Sequence, residues 1–316
     1  MKHQVPSELL WVADSPVVRM VEIDESDCHL PFWSQTLSRN GRTVRLLPLD
    51  RVEEDCGRSI QVKGFIYHVN RCGSTLVANA FKSVGKRRVL SEPFVFQQLL
   101  DNQRGTSAQR QSWLRKLIAL HQQALCTLGE ELIIKWPSLL TLHAGQIESA
   151  FPTTPAVFLY RNPVEVLVSI QRDALGGTEF TRAEHLGDAR DLDINLQIVA
   201  GDLRINALYI AHVCRKIVEA NCLIAVDYAA LPSAICELIA PHFRIPLTEA
   251  ERNTIDKTSR IYSKDPRAKA THLPDSEAKQ REATPEIRTL AAEIILPALN
   301  KALTLLNNKA RIGMGR

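Results

Sequence analysis

"GFIYHVNRCGSTLVANAF", residues 64–81, sets an apolar, strand-like run against a short polar turn and then the start of an amphipathic helix. A strand that ends in a loop of small residues and feeds straight into a helix aims the loop's backbone N–H groups, and the positive end of the helix, at one spot. Such a spot suits a phosphate or a sulfate. The nucleoside-triphosphatase form of this device, G-x-x-x-x-G-K-[ST], does not fit: over residues 68–75 the first glycine is replaced by His68 and the lysine by Ser74. What remains is a cation, Arg71, two residues before Gly73, followed by two hydroxyls, Ser74 and Thr75, that can donate to anionic oxygens. The bland alternative is an ordinary strand-to-helix turn.

Outward from this stretch the pattern repeats. "FIYHV", "RVLSE", "ELIIKW", "AVFLY" and "CLIAV" read as strands, with helix-period segments between them. Trp113, Leu117, Ala124 and Leu128 fall near one face of the segment between the second and third runs. The order βαβαβαβ predicts an α/β fold with a three-layer parallel sheet and a ligand at the carboxyl ends of the strands. Each successive strand end delivers a polar residue: Glu92 before Pro93, Lys135 before Pro137, and Arg161 before a helix that starts at Pro163, with Ser169 eight residues on. Singly, each reads as a surface charge or salt-bridge partner; their shared placement points to one site. Residues 1–60 mix short β-like runs with a helix near "FWSQTLSRN" and form a small N-terminal addition to a main domain over residues 61–316. Residues 188–220 read as a long helix or helix pair, and residues 263–286 as a polar, basic-tinged loop before a last amphipathic helix.

Composition narrows the function classes. With 39 Lys and Arg against 35 Asp and Glu, the net charge of +4 comes without a polybasic block, so nucleic acid is not indicated. Seven cysteines without a C-x-x-C pair read as reduced thiols of a cytoplasmic protein. No window approaches the roughly 18 apolar residues of a membrane span, and the first residues lack a signal-peptide pattern. A soluble, unprocessed chain is expected.

Two stretches resemble the sulfotransferases that use 3′-phosphoadenosine 5′-phosphosulfate (PAPS), most closely the carbohydrate and tyrosyl-protein types. "RCGSTL", residues 71–76, is similar to their 5′-phosphosulfate loop R-S-G-[ST]-[ST]-L except at Cys72, and "RNPVEVLVS", residues 161–169, fits their 3′-phosphate motif R-[DN]-P-x-[DE]-x-x-x-S at every fixed position. The resemblance spans roughly residues 62–262 and implies a P-loop-like sulfotransferase fold. It implies PAPS as donor, with Arg71, Cys72, Gly73, Ser74 and Thr75 on the 5′-phosphosulfate and Arg161 and Ser169 on the 3′-phosphate. It also implies Glu92 as base, and a strand-end lysine like Lys135.

Sulfuryl transfer moves SO3 in line from a phosphate oxygen to an acceptor oxygen or nitrogen, so Arg71 and Lys135 would stabilise the charge that grows on the departing phosphate. Glu92 would take the acceptor's proton, with burial and the nearby cations pulling its pKa in opposite directions. His68, His121 and His143 are alternative bases. No metal is expected, and the acceptor is a small molecule, a carbohydrate or a peptide. Lys264, Arg267 and Lys269 would close over the 3′-phosphate, while residues 1–60 and 175–188 would shape acceptor choice. Two other readings stay open at this point: a small-molecule or nucleotide kinase on the same fold, and a non-catalytic binding protein that keeps it.

Overall fold

The computed structural model describes residues 2–40, 42–53, 62–102, 104–126, 130–172, 202–260 and 275–313. Among the described residues, eight strands form two sheets. In the first, β1 (Lys2–Val12), β2 (Ser15–Asp24) and β3 (Arg42–Pro48) make an antiparallel meander in the order β1-β2-β3, with helix α1 (Trp33–Asn40) between β2 and β3. Its inner face carries Val5, Leu9, Val18, Met20, Val21 and Ile23, all buried. β1 lies against α3 (Phe94–Leu100) and α4 (Ser107–Leu125). There Trp11 meets Trp113 edge to face, the Trp113 indole N–H donates to Asp50 Oδ1 at 2.6 Å, and the Leu9 N–H donates to Gln98 Oε1 at 2.9 Å.

The second sheet is wholly parallel, in the order β5-β6-β4-β7-β8, with β4 (Val62–His68) at its centre, β5 (Arg87–Ser91), β6 (Glu131–Lys135), β7 (Ala156–Tyr160) and β8 (Leu223–Asp227). The chain leaves β4 through α2 (Ser74–Lys82), passes over β6 to form β5, and then works back across the sheet. Parallel crossovers are right-handed, so this reversal sets α2 on the face opposite the helices that connect β5 through β8. Packing agrees: α2 lies against α9 (Glu249–Ser259), whereas α4 lies against α5 (Ala144–Ala150), and α6 (Pro163–Arg172) against α7 (Leu203–Lys216). Phe65, Ile66, Leu132, Ile133, Ile134, Val157, Phe158 and Leu159 are buried, as strands covered on both faces require. Gly64 of β4 lets the ring of Phe243 come close; a Cβ there would stand 2.5 Å from it. Phe243 follows the short α8 (Ala240–His242) and packs on Phe81 of α2.

Part of the stretch expected to be a loop before the last helix is itself helical: α10 (Ser276–Glu282) precedes α11 (Pro285–Leu290) and α12 (Leu296–Gly313). Ser276 and Gln280 anchor its polar sequence to Arg161 and Glu165 through side-chain bonds, so its helicity does not rest on an apolar stripe. By length and composition Pro285–Lys309 could cross a membrane. Here Ile287, Ala291, Ile295, Ala298, Leu299, Ala302 and Leu306 bury one face of it, and α12 lies against α7 and β8. Leu128 and residues 188–201 of the expected helices fall outside the described residues.

Candidate active site

The reversal of strand order at β4 opens a crevice at the carboxyl edge of the sheet, where α/β proteins bind their ligands. Register brings the strand ends together: Ile66 and Ser91 both pair with Lys135, and His68 pairs with Leu159, two residues before Arg161. The loop after β4 is built by two left-handed residues, Arg71 at φ 61° and Gly73 at φ 84°. Gly73 is the N-cap of α2 and gives it no side-chain cap, and the Ser74 backbone approaches the Cys72 thiol at the head of the helix. A Cβ on Gly73 would lie 2.8 Å from the Tyr228 ring, so both conformation and space hold this position to glycine. Cys72 is fully buried and burial pushes its thiol up to about 12, so it is a protonated packing residue beside the Ser74 backbone. Ser74 and Thr75 open α2 and are buried.

Lys135 reaches this loop from β6. It is inaccessible to solvent, and its Nζ donates to Thr75 Oγ1 at 3.2 Å and to Glu92 Oε1 at 2.5 Å and faces the Phe32 ring at 5.0 Å. Glu92 is left-handed as well, at φ 55°, and its N–H donates to the Lys135 carbonyl at 2.7 Å. A non-glycine residue held there stores backbone strain, as functional positions often do. Burial, the largest single influence, would raise the Glu92 carboxyl, but the charge of Lys135 and the contacts with His68 and Lys135 together override it and hold the group far below the usual carboxylate range. Of the two opposing pulls anticipated from the sequence, the cation wins. Glu92 is an anion at neutral pH.

His68, the last residue of β4, is 4% exposed. Its Nδ1 lies 3.0 Å from the Val69 carbonyl, and since a carbonyl only accepts, Nδ1 carries the hydrogen. His121 and His143 are elsewhere. His121 is stacked on Phe96 in the core beneath the N-terminal meander, and burial drives its imidazole down to about 4. His143 pairs with Asp101 at 3.0 Å.

On the other side of β4, Arg161 is 5% exposed and held from three directions. Its Nε donates to Glu165 Oε2 at 2.7 Å, a terminal nitrogen donates to Asp275 Oδ1 at 2.6 Å, and the guanidinium lies 3.9 Å over the Tyr228 ring. Ser276 and Gln280 complete the shell by donating to Glu165 at 2.9 and 3.3 Å, and Lys279 pairs with Asp275 at 2.7 Å. Ser169 is one turn beyond Glu165 on α6 and partly exposed. Tyr228 therefore links the two halves of the crevice, touching Gly73 with its edge and Arg161 with its face. Sequence reading passed over it, although it follows β8 directly and the strand-end rule that singled out Glu92, Lys135 and Arg161 applies equally there. Phe32 carried no signal; a meander residue reaches Lys135 only through tertiary packing. Lys264, Arg267, Lys269 and residues 175–188 lie outside the described residues.

No family model matches this chain, and no curated protein does. Among solved structures it is similar to three sulfotransferases. One is sulfotransferase STF9 from Mycobacterium avium, at 12% identity over 65% of this chain and 69% of that one, with a TM-score of 0.44. The second is a sulfotransferase from Alicyclobacillus acidocaldarius, at 13% identity over 79% of this chain and 97% of the other, with a TM-score of 0.47. The third is the sulfotransferase domain from the curacin biosynthetic pathway, at 12% identity over 79% and 99%, with a TM-score of 0.40. Likeness at this level does not carry an activity, which has to come from the residues of this chain.

Proposed function

We propose that this protein is a sulfotransferase that moves a sulfuryl group from PAPS to a hydroxyl or amine of an acceptor. The observation that carries the reading is the buried Lys135 bridging Glu92 and Thr75 at the head of a helix whose N-cap, Gly73, has no side chain to cap it. The residues suit the donor: backbone N–H groups of residues 71–75 and the hydroxyls of Ser74 and Thr75 for its 5′ end, and Arg161 with Ser169 for its 3′-phosphate. When bound, PAPS supplies an activated sulfuryl group whose departure leaves negative charge on a phosphate. Lys135 and Arg71 stabilise that charge, and fixed cations in a site with little water contribute about 3–4 kcal/mol each. Glu92 faces the acceptor with its exposed edge, orients the acceptor's O–H or N–H, and receives the proton as the new bond forms. A small molecule, carbohydrate or peptide can serve as acceptor, in a cytoplasmic setting consistent with reduced thiols.

A kinase on the same fold would place its phosphate-binding lysine at position 74, inside the loop. Here that position is serine and the cation comes from a neighbouring strand, which favours the sulfuryl donor. The test is calorimetric titration of the full chain with adenosine 3′,5′-bisphosphate and, separately, with ATP and Mg2+, in wild type and in Arg161→Ala. Binding of the bisphosphate that Arg161→Ala weakens at least tenfold, with ATP ignored, is the expected result. Binding of ATP with Mg2+ alone overturns the proposal.

A further inference from the structure

Lys135 is inaccessible to solvent, yet the side chain of Glu92, whose Oε1 it holds at 2.5 Å, is 29% exposed. Water therefore reaches the neighbour of the ammonium and stops short of the ammonium itself. An ammonium has three hydrogens to place. Among the described residues its oxygen partners are Thr75 Oγ1 and Glu92 Oε1, and the face of the Phe32 ring lies 5.0 Å from Nζ. A ring face attracts a cation and keeps water out of the direction it covers. Phe32 comes from the N-terminal addition, and its backbone is tied down on both sides. Before it, the Leu30 carbonyl accepts from Lys82 Nζ of α2 at 2.5 Å, and Glu25 pairs with Arg88 of β5 at 2.6 Å. After it, Trp33 is buried edge-on against His121, and the Phe32 carbonyl accepts from the Gln35 N–H at 3.1 Å. The two elements that hold this strap, α2 and β5, are those that bring Thr75 and Glu92 to Lys135.

We infer that the N-terminal addition completes the centre: Phe32 shuts water off Lys135 and is a positioning residue for the transfer. The inference rests on the sulfotransferase reading and deepens it. Phe32 acts through Lys135. A fixed cation stabilises a growing negative charge far more where no water competes for its field. With the ring in place the ammonium meets the departing phosphate dry. Without it, a water takes the third N–H and has to be stripped away at each turnover. The same cover accounts for a lysine at zero exposure, since a buried charge is costly unless its donors are occupied. The addition is thereby more than an ornament on the parallel-sheet body: the strap from Glu25 to Trp33 is a wall of the site.

The test uses the full chain with 15N-labelled lysine and reads how fast the Lys135 ammonium hydrogens exchange with water, the signal being assigned by its disappearance in Lys135→Met. Wild type should show the ammonium cross-peak at neutral pH. Phe32→Ala should exchange at least tenfold faster or lose the peak, whereas Phe32→Leu, which keeps an apolar cover without a ring, should stay within about threefold of wild type. Where Phe32→Ala fails to fold, Phe32→Val takes its place with the same expectation. A wild-type exchange rate in Phe32→Ala, a wild-type ammonium that exchanges too fast to be seen, or equal acceleration in Phe32→Leu and Phe32→Ala overturns the inference. A second arm follows cleavage of PAPS with water as acceptor. Phe32→Ala should be at least tenfold slower and Phe32→Leu should recover most of the rate, with bisphosphate affinity unchanged in both. A Phe32→Ala rate at or above that of wild type overturns it; where wild type transfers nothing to water, the exchange measurement alone decides. Loss of bisphosphate binding in wild type would sink the sulfotransferase reading itself, whatever the exchange shows.

Discussion

The two ends of the crevice hold their cations differently. At the β4 end, Lys135 is balanced by Glu92, with a hydroxyl and an aromatic face filling out its surroundings and the start of α2, which has no side-chain cap, alongside. At the β7 end, Arg161 is already bound by two carboxylates, Glu165 and Asp275, and stacked on Tyr228. At the first end one carboxylate meets one lysine, and the N-terminus of α2 beside them adds its positive pole. The second has been neutralised from within, so a phosphate arriving there has to exchange places with a carboxylate. Of the two, Asp275 is the exchangeable one: its side chain is 38% exposed against 9% for Glu165, and it is the N-cap of α10 rather than a residue within a helix.

The sharpest way to break this contrast is Lys135→Ala. It removes the β4-end cation and leaves Glu92 without its main partner. Cleavage of PAPS should fall roughly 10²- to 10³-fold, and the unfolding free energy measured in urea should drop by about 3 kcal/mol. Near-normal turnover would mean that the charge at this end is not what the donor uses. Gly73→Ala comes next, since it imposes a side chain on a left-handed N-cap and pushes it into Tyr228. A loss of about 1–2 kcal/mol in stability is expected, with weaker bisphosphate binding because the displaced ring also supports Arg161; unchanged binding would uncouple the two ends.

Acid should erode both ends. Glu92, Glu165 and Asp275 all have carboxyls held below their usual range: burial would raise each, and the partner cations override it. A carboxylate with a depressed folded pKa contributes stability that is present above its unfolded pKa of about 4 and is lost as pH falls through the folded value. Urea midpoints should therefore be flat from neutrality down to about pH 5 and fall below about pH 4. The smallest effect separates the two ends most cleanly: Asp275→Asn should tighten bisphosphate binding by roughly threefold to tenfold, about 1 kcal/mol, by removing the competitor for Arg161. Weaker binding would make Asp275 a brace for the guanidinium instead.

How much of this could be read beforehand depends on the distance in sequence over which each feature is made. The strands were legible because each is a short apolar run closed by a polar residue, and β7 matches "AVFLY" residue for residue. Glu92, Lys135 and Arg161 followed from one rule about strand ends. The direction of the Glu92 shift was not legible, because it hangs on a 2.5 Å contact that no spacing fixes. Nor was the neutralisation of Arg161 by Asp275, which stands 114 residues away in a stretch whose polar sequence reads as loop until its side chains find buried partners. Phe32 over Lys135 is a contact of the same long-range kind.

The packing of β1 on α3 and α4 also has a history during synthesis. The meander can pair its own strands as soon as they leave the ribosome, since β1, β2 and β3 are neighbours in sequence. The apolar side that holds Val5 and Leu9 lacks its full support, α3 and α4 together, until α4 ends at Leu125. At ordinary elongation rates the delay is about 4 to 15 s. For that interval the nascent chain carries a half-finished sheet with an oily underside, which makes its first fifty residues the stretch of this protein with most to gain from a chaperone at the exit tunnel.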